Sequence, residues 1–223
     1  MTQPTVSRRR FLITAGAALG AGALTCSGLT MPGSRQPAVT MPQITLGENT
    51  MSDRILVAYA SQAGSTAGVA EAIGRTLAES GAQVDVRPMR DVQDLGPYRA
   101  VVAGSAIHGG KWLPEAMQWM KGHQAALLQK PFAAFLVCIT LSMRDAGKYR
   151  PGVADWMQPV RALVRPVGEG LFAGALDFSK LPVTKDTLLM HLPVIFGAWK
   201  LGDHRDWDAI RTWAADLKSL LHA

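Results

Sequence analysis

The chain has only two cysteines, Cys26 and Cys138, which leaves no room for a paired CxxC motif or a disulfide framework. Cys26 falls in an N-terminal leader or tether, and Cys138 falls in an apolar run with the pattern of a buried strand, where a lone thiol is a core residue. An HExxH helix and a Ser-His-Asp arrangement are absent as well. The first strand-to-helix turn lacks the Walker spacing of Gly, four residues, Gly-Lys-Ser/Thr, which disfavours a nucleotide triphosphatase, and it lacks the dinucleotide fingerprint. Charge is modest: the whole chain carries +6, and Arg8, Arg9, Arg10 and Arg35 against Glu48 supply half of it. No basic stripe is interleaved with aromatics, so nucleic acid is not an expected partner. Neither apolar run, one near the N-terminus and one over residues 188–201, reaches the roughly 20 residues that span a bilayer.

What is present begins with Ser7-Arg8-Arg9-Arg10-Phe11-Leu12 and a Gly- and Ala-rich apolar run to Leu24. This resembles a bacterial twin-arginine export signal, so residues 1–26 are expected to be a signal peptide cleaved after Ala21-Gly22-Ala23. The mature protein would then be periplasmic or lie at the outer face of the cytoplasmic membrane. Ala23-Leu24-Thr25-Cys26 has the outline of a lipoprotein box with its Leu and small residue displaced, so lipidation of Cys26 stays open. Residues 27–50, with Pro32, Pro37 and Pro42 and no sustained periodicity, read as a flexible tether. The folded domain is expected over residues 51–223.

Within that domain the organising stretch is Ser61-Gln62-Ala63-Gly64-Ser65-Thr66. It follows a β-branched run (Ile55, Leu56, Val57) and precedes Val69, Ile73 and Leu77 at helical spacing, so a strand passes through a small-residue turn into a helix. Such a turn lets backbone N–H groups converge on one oxyanion at the positive end of the helix dipole. With no Lys or Arg in the turn, a single terminal phosphate held by neutral donors is the ligand it suits. The plainer alternative is a strand-to-helix turn whose Ser caps the helix.

Further strands are expected at residues 83–86, 98–104, 131–138 and 170–175, with helices over 112–129, a stretch kinked at Pro159, and a final helix presenting Trp207, Ile210, Trp213, Leu217 and Leu221 on one stripe. This alternation predicts an α/β fold with a parallel sheet covered on both faces. Ligands of such sheets bind beyond the carboxyl ends of the strands, where strand order reverses. Three loops should meet there: residues 61–66, then Gly104-Ser105-Ala106-Ile107-His108-Gly109-Gly110 leading to Trp112, then Thr140 and Leu141. The glycines would admit a flat ring and His108 or Trp112 would stack on it, although each could equally be an ordinary loop or core residue. Asp177 and Asp186 read as solvated acids.

On these residues the chain resembles the flavodoxin family from Arg54 to His222. The family phosphate loop usually reads Thr or Ser, any residue, Thr, Gly, any residue, Thr, and Ser61, Gly64, Ser65 and Thr66 fit it while Ala63 lacks a hydroxyl. The resemblance implies FMN, a doubly wound five-stranded parallel sheet of order 2-1-3-4-5, and the three loops above as the cofactor site. Within the family, Gly104 to Gly110, Ala173-Gly174-Ala175-Leu176 and an insertion ending at Asp206-Trp207 resemble the quinone-linked protoporphyrinogen oxidase branch. That implies an oxidoreductase passing electrons from a substrate through FMN to a quinone. The other reading is an exported electron carrier that binds FMN and a redox partner protein. Leu188, Leu192, Ile195 and Trp199 share one helical face flanked by Lys185 and Lys200, so the stretch Leu188 to Leu201 suits a membrane surface, the sheet, or a second copy in a homo-oligomer.

Overall fold

The computed structural model describes residues 41–47, 54–180 and 200–221, together with Val194. All of them belong to the compact unit Arg35–Ala223. The elements in chain order are β1 (Ile44–Leu46), β2 (Arg54–Ala60), α1 (Ser65–Glu79), β3 (Gln83–Pro88), β4 (Ala100–His108), β5 (Lys111–Trp112), α2 (Pro114–Gly122), α3 (Gln124–Leu127), β6 (Phe132–Cys138), α4 (Ala146–Ala154), α5 (Gln158–Leu163), β7 (Gly168–Ala173), β8 (Ala175–Leu176), β9 (Gly202–Asp203) and α6 (Trp207–Leu221).

Five parallel strands lie in the order β3-β2-β4-β6-β7, which is 2-1-3-4-5 when the parallel strands are numbered along the chain. Chain order reverses between β2 and β4, the switch point where doubly wound sheets bind ligands. The strands are buried on both faces, as their near-continuous apolar runs require. Leu56, Ala58 and Ala60 face one core cluster with Trp112, Ala116, Met120, Met157 and Val160 of the α2 and α5 side. Ile55, Val57 and Tyr59 face the other, with Val69, Ile73 and Leu77 of α1 and Ile210, Leu217 and Leu221 of α6. The final helix thus buries the stripe its spacing predicts.

Local structure departs from expectation in four places. The expected tether over 27–50 contains β1, which pairs antiparallel with β3, Ile44 opposite Val86 and Leu46 opposite Val84. Ile44 and Leu46 pack on the second core cluster, Arg87 donates to the Ile44 carbonyl at 2.8 Å, and Tyr59 donates its hydroxyl to the Pro42 carbonyl at 2.8 Å. The third parallel strand runs on to His108, because Gly109 (φ 57°) and Gly110 (φ 74°) form a two-residue turn that folds β5 back on β4, pairing Ile107 with Trp112 and His108 with Lys111. Consecutive positive φ values are what such a tight hairpin turn demands. The helix expected from 112 starts at Pro114 and breaks at His123. The expected kink at Pro159 falls earlier, in a single 3-10 turn at Asp155–Met157, and Pro159 occupies the permissive first turn of α5.

The expectations for residues 1–26 and for the apolar stretch over 188–201 fall almost wholly outside the described residues. Among the described residues no helix is long and apolar enough to cross a membrane.

Candidate functional site

The turn between β2 and α1 sits at the switch point. Gly64 occupies the cap position of α1 in a left-handed conformation (φ 81°), no side chain caps the helix, and its first turn holds no acidic residue. The first N–H groups of a helix have no intrahelical partner, so the α1 N-terminus presents donors and a positive dipole end that no side-chain cap or first-turn acid among the described residues offsets. Ser61 shapes the turn by accepting the Gly64 N–H at 3.1 Å on its Oγ. The alternative expectation, a serine capping the helix, is therefore not what the turn adopts. Gln62 is exposed, Ala63 and Ser65 are half-buried, and Thr66 is buried. Ser65 is engaged on both its oxygens: Oγ accepts the Ala175 N–H at 2.8 Å, and its carbonyl accepts from Arg205 Nη1 at 3.3 Å.

The second stretch divides. Gly104 and Ser105 lie within β4 and are buried, Ala106 and Ile107 are half-buried, and His108 is exposed at the strand end. A Cβ at Gly104 would fall under 3.0 Å from three carbons of the Phe135 ring, so this glycine makes room for a core phenylalanine and not for a ligand. Ser105 Oγ accepts the Leu113 N–H at 3.0 Å and donates to the Ala106 carbonyl at 2.8 Å, which fastens β4 to the start of α2. Trp112 is 4% exposed and belongs to the core cluster. Its Nε1–H is the one buried side-chain polar atom without a partner among the described residues. Gly104 and Ser105 are thus enclosed in β4, and Trp112 is a core residue, not one open to stacking on a ring as expected. A residue not foreseen takes a place there: Trp156, half-buried, lies against the hairpin turn, its Nε1 3.2 Å from where a Cβ of Gly110 would stand.

The third stretch is a 3-10 turn, Ile139–Ser142, closed by Ser142 Oγ donating to the Ile139 carbonyl at 2.6 Å. Thr140 and Leu141 are half-buried in it. Burial pushes the preceding Cys138 thiol up to about 11, against hydrogen bonds from Leu141 and Thr140 that favour the thiolate. Strand register brings the three turns to one edge: Ala60 lies opposite Ser105, Ala106 opposite Val137 and Cys138 opposite Ala173. Sequence reading missed Ala175 and Arg205, which reach the turn from 110 and 140 residues away. No local pattern could have signalled them.

A doubly wound parallel sheet of this order, with an uncapped glycine-opened turn at its switch point, defines a flavodoxin-like α/β protein. The flavodoxin domain family model matches residues 56–194, more than half of the chain, and the chain belongs to that family. Among curated proteins, the protoporphyrinogen IX dehydrogenase [quinone] of Leishmania major is 26% identical over 178 residues, covering 77% of each chain. Among solved structures, a flavodoxin from the domain Archaea aligns over 76% of this chain and 99% of its own, at 19% identity and a TM-score of 0.46. The Streptococcus pneumonia TIGR4 flavodoxin aligns over 74% and 98%, at 16% identity and a TM-score of 0.48.

Family membership implies FMN, and the residues present fit its phosphate. The turn offers neutral hydroxyls, a glycine in the left-handed region and open helix N–H groups, with no carboxylate in the first helical turn to repel an anion. Among the described residues no group of acids, histidines or cysteines could hold a metal ion.

Proposed function

We propose that the protein is an FMN-dependent oxidoreductase that passes electrons from a substrate through FMN to a quinone. The observation that carries the reading is the uncapped α1 N-terminus at the switch point of a flavodoxin domain. The quinone is supported by the Leishmania major relative, which is named as a quinone-linked dehydrogenase. When bound, FMN supplies the electron-transfer chemistry, and the protein's part is to hold, orient and cover it.

Ser61, Gln62, Ala63, Gly64, Ser65 and Thr66 hold the phosphate, chiefly through backbone N–H groups, with Ser61 fixing the turn. Ala106, Ile107, His108, Gly109 and Gly110 on one side and Thr140 and Leu141 on the other border the ring, with Trp156 lying against the Gly109-Gly110 hairpin turn. Export by the twin-arginine route is part of the same proposal, because that route carries folded proteins and cofactor made in the cytoplasm would travel inside the domain. The segment 188–201 is proposed to meet the membrane surface where a quinone is dissolved.

An anaerobic assay of the purified protein with protoporphyrinogen as donor and a menaquinone analogue as acceptor tests this reading. Donor-dependent quinone reduction is the expected result. A flavin-loaded protein inert toward quinones but reoxidised by a protein partner would make it an electron carrier instead.

A further inference from the structure

The phosphate turn contains no cation, yet one is delivered to it from the far end of the chain. Arg205 donates from Nη1 to the Ser65 carbonyl at 3.3 Å. Its Nε and Nη2 each donate to one oxygen of Asp203 at 2.7 Å. The guanidinium also lies over the Trp207 ring, 4.3 Å from its centroid. Gly68 completes the slot, since a Cβ there would fall under 3.0 Å from Nη1. The Arg205 side chain is 17% exposed, and its hydrogen bond holds the Asp203 carboxyl below the usual carboxylate range. A fork bound at two oxygens, with an aromatic floor and a glycine gap, has its orientation fixed before any ligand arrives.

We propose that Arg205 is a positioning residue for the cofactor phosphate. The proposal rests on the assignment of residues 61–66 to that phosphate. Ser65 C=O and Thr66 N–H belong to one peptide group, so a guanidinium drawing on the carbonyl polarises the N–H and makes it a stronger donor in the uncapped first turn of α1. Arg205 and the Ala175 N–H grip Ser65 at its two oxygens, which fixes the turn in its receiving conformation and lowers the ordering cost of binding. A turn with no charged residue of its own is thereby braced by an Arg205–Asp203 ion pair whose Nη1–H acts on it through the Ser65 carbonyl.

The test titrates flavin-free wild-type, Arg205→Ala, Arg205→Lys and Gly68→Ala proteins with FMN and with riboflavin, following quenching of flavin fluorescence. The two ligands differ only in the phosphate, so the ratio of their affinities reports the turn and not the general soundness of the fold. Arg205→Ala is expected to weaken FMN about tenfold, through a weaker Thr66 N–H donor and a turn that must be ordered on binding, and to leave riboflavin unchanged. Arg205→Lys should recover part of the ratio, and Gly68→Ala, which favours the helix but crowds the guanidinium, should reduce it. An unchanged ratio in Arg205→Ala, or equal losses for both ligands, overturns the proposal and leaves Arg205 a structural clamp. Should Arg205→Ala not fold, the ratios in Arg205→Lys and Gly68→Ala decide in the same way. A wild-type protein that binds riboflavin as tightly as FMN overturns the phosphate assignment itself, and the proposal with it.

Discussion

Gly104→Ala separates a packing glycine from a cofactor-binding one. Gly104 pairs with Phe135 on the neighbouring strand, and a Cβ there would penetrate the Phe135 ring, under 3.0 Å from three of its carbons. The ring has no room to yield. It is fully buried, with Phe172 at 6.3 Å and Trp213 at 6.2 Å between centroids, and those two rings are in edge contact with each other at 5.5 Å. Overpacking a core by one methyl typically costs about 1–3 kcal/mol. For a domain of this size about 2 kcal/mol corresponds to a melting temperature lower by roughly 4–8 °C. Thermal denaturation followed by circular dichroism measures it, and flavin titration of the folded protein should show unchanged affinity. Phe135→Leu in the Gly104→Ala background should recover about 1 kcal/mol relative to additivity. A variant as stable as wild type that has lost FMN would refute the packing account and restore Gly104 to the ligand.

Gly64→Val should lower FMN affinity at least about tenfold while the protein stays folded, because a β-branched residue at a positive φ costs roughly 1–3 kcal/mol and closes the turn; flavin titration checks this. Trp112→Phe, which removes the unpartnered buried Nε1–H, should leave FMN affinity unchanged and shift stability by less than about 1.5 kcal/mol in denaturant unfolding, since the cavity left and the orphan donor removed oppose each other. A chain beginning at Met51 should melt below one beginning at Met41, because it lacks β1 and the Tyr59 to Pro42 bond. Burial raises Tyr59 and Tyr98 to about 12, the hydrogen bond to Asp85 adding to the rise at Tyr98; the fold keeps both acids neutral, so their stabilisation is complete below the unfolded tyrosine value near 10 and is lost as pH climbs toward 12. The melting temperature should therefore fall steeply above pH 10, and less steeply in Tyr98→Phe.

What the sequence made legible was the part written in local patterns. The β-branched run of β2, the small-residue turn at 61–66 and the four-residue spacing of Val69, Ile73 and Leu77 fix a strand, a turn and a helix without reference to the rest of the chain. The apolar runs of β4 and β6 likewise announce central strands. Legibility failed where a residue's role is set by a distant partner. Gly104 reads as backbone freedom until Phe135 is seen over it, and the anchoring of Ser65 stays hidden until Ala175 and Arg205 are found on its oxygens. Strand β1 is too short for alternation to stand out among the prolines around it, and only pairing with β3 makes it a strand. The Gly109-Gly110 hairpin is the one miss that had a signal, since two glycines between residues of strand propensity favour a two-residue turn.

The most direct test of the central claim is the flavin content of the purified protein, read from its visible absorption spectrum and from the flavin released on denaturation. The account predicts a yellow protein that releases FMN, and a flavin-stripped form that takes FMN up again to a stoichiometry near one per chain. A colourless protein that fails to bind added FMN while fully folded would contradict it.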